Sequence, residues 1–165
     1  MNEAPQSRSN PFRPSIAAGW ALPLRVIVGY GFMAHGFAKL SRGASGFSSI
    51  LHALGVPGPD VMAWATILVE LFGGFAVLMG AFVSVASIPL AVVLLVAMFT
   101  VHLPYGFSSI KLVAVTGAGP QFGPPGYEVA LPYLASLAAL VAGGSGALSI
   151  DGLRMPRQQL GRRGD

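Results

Sequence analysis

Four long apolar stretches alternate with short polar segments along the chain. They cover approximately residues 16–40, 61–80, 82–103 and 127–148. Each has the roughly 20 residues that a helix needs to cross about 30 Å of hydrocarbon. The pattern therefore predicts an all-α fold, an integral membrane four-helix transmembrane bundle, with its membrane domain over residues 16–150.

Two of the connecting segments have patterns of their own. Residues 46–55 place Phe47, Ile50, Leu51 and Leu54 at helical spacing, which predicts a short amphipathic helix at the membrane surface in the first outer loop. Residues 104–126 are rich in Gly and Pro and predict a long irregular loop. Such a loop is either a lid or docking surface, or simply a tether.

The distribution of cations predicts the orientation of the chain. The two tails contain six arginines: Arg8, Arg13, Arg154, Arg157, Arg162 and Arg163. The opposite loops contain three cations: Lys39, Arg42 and Lys111. Cytoplasmic segments carry the excess of positive charge, and four crossings put both ends on one side. We therefore expect a cytoplasmic tail over residues 1–15 and a basic cytoplasmic tail over residues 151–165.

Composition supports the membrane assignment and narrows the chemistry. Only 10% of the residues are charged and the mean hydropathy is +0.67, whereas soluble domains carry about 25% charged residues. The net charge of +4 lies at the tails, which favours contact with anionic lipid and not with nucleic acid. With no cysteine, the chain cannot form disulfides or hold an iron–sulfur cluster by thiolates. The sequence also lacks the P-loop, dinucleotide-binding and zinc-protease motifs.

Ionisable residues inside the apolar stretches are the candidates for function, because a bilayer makes each of them costly. The set is Arg25, His35, Glu70 and His102, with Lys39 and Glu128 near the ends of stretches.

Glu70 is central to this set. Helical rise places it between Arg25 and His35 in depth. Arg25 is the expected partner, because guanidinium can bind carboxylate through two parallel hydrogen bonds. One interpretation is a buried ion pair that fixes the packing of the first two helices. The other is a polar pocket that binds a quinone head group or relays protons, with Glu70 and His35 as the exchanging groups.

The histidines suggest no metal site. His35 and His102 lie at similar depths on different helices and could in principle ligate haem b. No spacing in the sequence is diagnostic of haem or of a bound metal ion, so neither is expected.

Several short motifs, in order along the chain, resemble the DoxX family of membrane proteins. The first covers residues 24–40, LRVIVGYGFMAHGFAKL. It is followed by Gly-Val-Pro at 55–57 and Val-Glu-Leu-Phe-Gly-Gly at 69–74. His102, Gly-Tyr-Glu at 126–128 and the segment 144–151 complete the set. The resemblance covers residues 24–151.

The resemblance implies a four-helix membrane protein of the prokaryotic plasma membrane. The family takes its name from a subunit of a thiosulfate:quinone oxidoreductase, and other members are linked to oxidative stress and sulfur handling. The residues that match the family motifs are Arg25, His35, Lys39, Glu70, His102, Glu128 and Asp151. Asp151, which precedes the tail arginines, is also expected to make a local salt bridge near the cytoplasmic face.

The leading hypothesis is a membrane subunit of a quinone-linked redox system. In it, Glu70 and His35 exchange protons. The residues expected to bind substrate are Arg25, Lys39, His102, Glu128 and Lys111. Such a chain needs a partner to complete electron transfer, and we expect it to assemble with a partner subunit or as a homo-oligomer. The alternatives are a non-catalytic scaffold that docks a partner protein and, less favoured, a small transporter, which would have to oligomerise to enclose a path.

Overall fold

The structure, a computed structural model, describes residues 19–146 and 148–154. The predicted N-terminal tail, residues 1–15, and residues 155–165 of the predicted C-terminal tail lie outside the described residues. The predictions of domain boundaries therefore stay predictions.

The first half of the described chain is helical. Helix α1, Ala21–Ser41, is followed by the short helix α2, Ala44–Ala53. The next helical rod joins α3, Pro59–Leu68, to α4, Gly74–Met79, through a π-helical turn at Val69–Gly73. Pro59 starts this rod, where its missing N–H costs nothing. Helix α2 confirms the short helix predicted for the first outer loop.

The second half contains a further long helix and a shorter one. Helix α5, Val83–Ala97, continues through a π turn at Met98–His102 and ends in a 3₁₀ turn at Leu103–Tyr105. After an extended segment, a 3₁₀ turn at Tyr127–Val129 leads into α6, Ala130–Gly143.

Among the described residues, three helical rods are long and apolar enough to cross a membrane: Ala21–Ser41, Pro59–Met79 and Val83–Tyr105. The fourth, Tyr127–Gly143, is shorter. Its predicted end at residue 148 was wrong. Gly144 has a φ of +82°, a conformation that suits glycine and terminates the helix. The chain then turns toward α1 and forms the one-turn helix α7, Ile150–Arg154.

The segment between α5 and α6 contains a β-hairpin, so the all-α prediction and the irregular loop were both wrong here. Strand β1, Leu112–Thr116, pairs antiparallel with β2, Gly119–Phe122, and a bulge interrupts the register between Leu112 and Ala114. The sequence LVAVT is rich in β-branched residues and precedes a Gly-containing turn, which is a hairpin signal that the Gly and Pro content of the segment obscured.

The core lies where α1, α4, α5 and α6 meet. Its largest members are Val28, Phe32, Val77, Val83, Leu90, Leu137 and Leu140. A close approach of two backbones sets the spacing of the first two rods: a Cβ atom on Gly29 would lie 2.7 Å from the carbonyl oxygen of Gly74. Small residues permit such an approach between membrane helices. The approach holds Lys39 of α1 within reach of the π turn.

Candidate functional site

Glu70 and Lys39 form an ion pair between the first two helical rods. The Lys39 ammonium donates to both carboxylate oxygens of Glu70, at 2.6 Å each. The Glu70 side chain is 6% exposed, whereas that of Lys39 is 23% exposed. The pair therefore has one buried end and one end that is open.

The local geometry explains how Lys39 reaches a residue deeper in the protein. Side chains on a helix lean toward its N-terminus, so Lys39 extends back along α1. There Gly36 leaves room, because a Cβ atom on it would lie 3.1 Å from the Cβ of Glu70. Glu70 itself lies in the π turn, a rare geometry often found at functional sites.

The predicted ion pair between Arg25 and Glu70 was wrong. Arg25 also leans toward the N-terminus of α1, which carries its guanidinium away from Glu70 and to the far end of α4. Its partners there are four backbone carbonyl oxygens, those of Val77, Leu78, Ser145 and Leu148, at 2.6–3.2 Å. The carbonyls of Val77 and Leu78 lie at the C-terminal end of α4, which carries a partial negative charge and so suits a cation.

The Arg25 cluster joins several segments and leaves little free space. Gly80, with a φ of +68°, lies against the guanidinium, and a Cβ atom there would lie 2.6 Å from Arg25 Cζ. Arg25 is only 3% exposed. With four carbonyls around it and no open side, Arg25 fixes packing. Arg25 was predicted to bind substrate, but its surroundings leave no room for a ligand.

Asp151 belongs to the same end of the bundle. Its carboxylate accepts hydrogen bonds from the backbone N–H groups of Phe82 and Val83, at 2.9 and 3.2 Å, where α5 begins. A carboxylate at a helix N-terminus satisfies unpaired donors and complements the helix dipole. The predicted salt bridge of Asp151 stays a prediction, because the arginine side chains that follow it lie outside the described part of the chain.

The open end of the ion pair faces a groove of about 330 Å³ between α1 and α2. The groove is lined by His35, Ala38, Lys39, Arg42, Gly46, Phe47 and Ile50. The Phe47 ring lies beneath Lys39, whose ammonium is 5.3 Å from the ring centroid. The surface helix α2 is held to the second rod by a hydrogen bond of 2.5 Å from Ser48 Oγ to Asp60 Oδ1. In the sequence, Arg42 contributed only to the prediction of orientation, and the contact of Phe47 with Lys39 was not predicted.

His102 and Glu128, predicted to line the mouth of a pocket, instead fasten the hairpin segment to the bundle. His102 Nδ1 donates to the carbonyl oxygen of Pro125 at 3.0 Å, and Glu128 accepts from the backbone N–H of Ser109 at 3.0 Å. The backbone carbonyl of Lys111 accepts from Gly123 N–H, at the open end of the hairpin. These three residues thus form a group around the hairpin, apart from the groove.

The groove combines hydrogen-bond donors with apolar walls. Lys39 and His35 can donate hydrogen bonds into it, while Phe47 and Ile50 provide the apolar surface. The described residues contain no group of three or more His, Asp or Glu residues arranged to hold a metal ion.

Comparison with protein families identifies the relationship that these features suggest. Comparisons with curated proteins and with solved structures give no significant match. The family model named DoxX matches residues 20–103, a region that holds the first two long apolar rods, all but the last two residues of the third, and Arg25, His35, Lys39, Glu70 and His102. Because the match extends over half of the sequence, the chain belongs to the DoxX family and is a membrane protein.

Proposed function

We propose that this protein is an integral membrane subunit of a quinone-linked redox system, related to sulfur or oxidative-stress chemistry as in the family, and that the groove between α1 and α2 binds the quinone head group. The observation that carries the proposal is the ion pair of Lys39 and Glu70, buried at the carboxylate and open to the groove at the ammonium.

The Lys39 ammonium has one N–H donor that the ion pair does not use. An ammonium has three N–H donors, and the contacts with the two Glu70 oxygens use two of them. The third is available to an acceptor in the groove, such as a ring carbonyl. His35, exposed on the same wall, provides a second donor.

The remaining walls suit a flat apolar ring. Phe47 presents an aromatic face to the groove and Ile50 an aliphatic surface. Ligand sites commonly combine such apolar walls with a few convergent polar groups.

Bound quinone would supply the electron-accepting ring, whose reduction also consumes protons. Glu70, Lys39 and His35 can hold and move those protons within hydrogen-bond reach of the groove, which is the role of positioned acids and bases. A partner subunit would supply the electrons, and lipid would surround the chain, which could also form a homo-oligomer. Arg25, His102, Glu128 and Lys111 have no part in this site.

The proposal includes four crossings of a prokaryotic plasma membrane with both ends cytoplasmic. The rod at residues 127–143 is 17 residues long, or about 25 Å at the rise of an α-helix. That is a few ångströms less than the usual hydrocarbon thickness, and local thinning of the bilayer accommodates such a mismatch at modest cost. The excess of tail arginines favours the cytoplasmic orientation.

The test is direct binding of a short-chain ubiquinone analogue and of a short-chain menaquinone analogue to the detergent-purified chain, measured by equilibrium dialysis. We expect His35→Gln to weaken binding by about tenfold, the equivalent of one charge-assisted hydrogen bond. His52→Gln is the matched control, because His52 is exposed on α2 and does not line the groove. Equal affinity of the His35→Gln variant and the wild-type chain, or no binding of either quinone, would contradict the proposal.

A second candidate is a non-catalytic scaffold that docks a partner protein. It is favoured by the apolar side chains that α2 and the hairpin leave exposed, including Ile50 and Val115. In that case the Glu70 pair only specifies packing. The chain would then purify without quinone but with a stoichiometric partner.

A further inference from the structure

Arg42 carries a positive charge that no carboxylate in the described part of the chain neutralises. It is exposed and lines the groove between α1 and α2. The described carboxylates each have a partner other than Arg42: Glu70 with Lys39, Asp60 with Ser48, Glu128 with the backbone of Ser109, and Asp151 with the start of α5. Glu70 therefore balances the charge of Lys39 in this groove, whereas the charge of Arg42 is left for an anion from outside the described chain.

The position of Arg42 along the chain places it at the level of the lipid head groups. It is the first residue after the long apolar rod Ala21–Ser41. Residues at the end of a membrane-spanning helix lie in the interfacial layer, outside the hydrocarbon. The abundant anion in that layer is the phosphate of a phospholipid, and a guanidinium can bind two phosphate oxygens at once.

Apolar side chains beside the groove favour a lipid over a free phosphate ion. Ile50 and Leu54, four residues apart on α2, are 55% and 40% exposed, and Leu40 at the end of α1 is 39% exposed. Residues at this spacing lie on one face of a helix. Only a phosphate that carries acyl chains can cover this apolar surface while it binds Arg42.

The lining of the groove also discriminates between head groups. Among the described residues, the lining includes Lys39 and Arg42 but no acidic side chain. The carboxylate nearest to the groove, that of Glu70, is only 6% exposed behind Lys39. The ammonium of a choline or ethanolamine head group would therefore lie near two cations without a counter-ion. A head group with a net negative charge avoids this repulsion.

We infer that the groove binds one anionic phospholipid, with its phosphate on the Arg42 guanidinium and its acyl chains on the apolar surface formed by Leu40, Ile50 and Leu54. The inference does not rest on the proposed quinone site, because it uses the charge of Arg42, which has no role there.

The experiment compares two lipids that differ only in the head group. The chain is purified in a neutral detergent and titrated with dioleoyl phosphatidylglycerol or with dioleoyl phosphatidylcholine, and native mass spectrometry counts the lipids bound per chain. Glycerol 3-phosphate is the third probe, because it offers a phosphate without acyl chains. We expect one phosphatidylglycerol per chain, bound about tenfold more tightly than phosphatidylcholine, the equivalent of one charge-assisted hydrogen bond. Glycerol 3-phosphate should not be retained.

Variants at Arg42 locate the binding site. Arg42→Gln keeps a polar side chain but removes the charge, so it should weaken phosphatidylglycerol binding about tenfold and abolish the preference over phosphatidylcholine. Arg42→Lys keeps the charge without the guanidinium fork, and its affinity should lie between the two. Lys111→Gln is the matched control, since Lys111 forms no ion pair within the described residues and does not line the groove. Circular dichroism establishes that each variant is folded.

Four results would overturn the inference. The first two are equal affinity of the wild-type chain for the two phospholipids and unchanged phosphatidylglycerol affinity of Arg42→Gln. The third is an equal loss in Lys111→Gln, which would indicate non-specific attraction to the positive charge of the protein. The fourth is binding of glycerol 3-phosphate as tight as that of phosphatidylglycerol, which would identify a free phosphate as the occupant. Quinone binding is measured separately by dialysis, so either proposal can fail without the other.

Discussion

Arg25 and Lys39 are both cations on α1, 14 residues and therefore about 21 Å apart, but the groups that satisfy their charges differ in kind. Arg25 is surrounded by backbone carbonyls, which cannot ionise and cannot move without moving a helix. Lys39 binds a carboxylate, which can take up a proton, and its ammonium is open to a groove.

The comparison separates a structural charge from a charge that is able to change state. A cation held by fixed dipoles has one arrangement, and its removal leaves several buried acceptors without a donor. A cation held by a carboxylate at an open site can exchange its partner for a ligand or for water. Both residues match motifs of the family, so a motif alone does not distinguish these two roles.

The largest effect that would test this comparison is expected at Arg25. Arg25→Met keeps the length and apolar stem of the side chain but removes the donors to four carbonyl oxygens. Each buried acceptor without a donor costs about 1–3 kcal/mol, and partial access of water reduces the sum. We expect the free energy of unfolding in detergent to fall by about 3–5 kcal/mol.

Arg25→Lys is the informative companion variant. It keeps the charge, but its three donors sit on one nitrogen and cannot span the same set of carbonyls. Its stability should lie between those of Arg25→Met and the wild type. If Arg25→Met unfolds at the wild-type midpoint, the Arg25 cluster is not a structural element and the comparison fails.

A smaller loss of stability is expected at the other end of α1. Glu70→Gln preserves shape and leaves Lys39 without its counter-ion, but Lys39 is 23% exposed and can turn toward the groove. The expected loss in the free energy of unfolding is about 1–2 kcal/mol, below that of Arg25→Met. Quinone binding, measured by equilibrium dialysis, should weaken along with it.

The two readouts distinguish the two interpretations of Glu70. A loss of stability as large as that of Arg25→Met, with unchanged quinone affinity, would show that the pair of Lys39 and Glu70 only stabilises the packing of the helices. The scaffold alternative would then be favoured.

The sequence predicted the helices better than the contacts between their side chains. The length of the apolar runs located the three rods, because a helix that crosses lipid needs a long apolar run, which the sequence shows directly. Helical periodicity located the short helix α2. The end of α6 depended on one backbone conformation, that of Gly144, and composition alone did not reveal it. The hairpin was obscured by the glycines and prolines around it.

The sequence identified the residues of the ion pair but not which of them pair with each other. Depth alone placed Glu70 within reach of Arg25 or His35, but the direction in which a long side chain leans decided the outcome, and it moved Lys39 toward Glu70 and Arg25 away from it. The contact of Phe47 with Lys39 depends on the turn between α1 and α2, which periodicity does not specify.

Asp151 tests whether the Arg25 end behaves as one unit. Asp151→Ala removes the acceptor from two N–H groups at the start of α5, and such a loss at a helix N-terminus costs about 0.5–2 kcal/mol. Asp151→Asn keeps an acceptor oxygen and should cost less. A double variant with Arg25→Met, measured by chemical unfolding, should lose less than the sum of the two single losses, because both residues hold the segment after α6. Strict additivity would show that they act independently.

The smallest effect is expected at Phe47. Phe47→Leu keeps an apolar wall but removes the aromatic face beneath Lys39, an interaction worth about 0.5–1 kcal/mol at a partly exposed site. Because the ring positions an ammonium that is also paired with Glu70, we expect the change in quinone affinity to exceed the change in stability. Phe37→Leu is the matched control, since Phe37 is exposed on α1 and does not line the groove. Quinone affinity is measured by equilibrium dialysis. Equal affinities for the two leucine variants would mean that the ring does not position Lys39 for a ligand. The Lys39 end of α1 would then be as fixed as the Arg25 end.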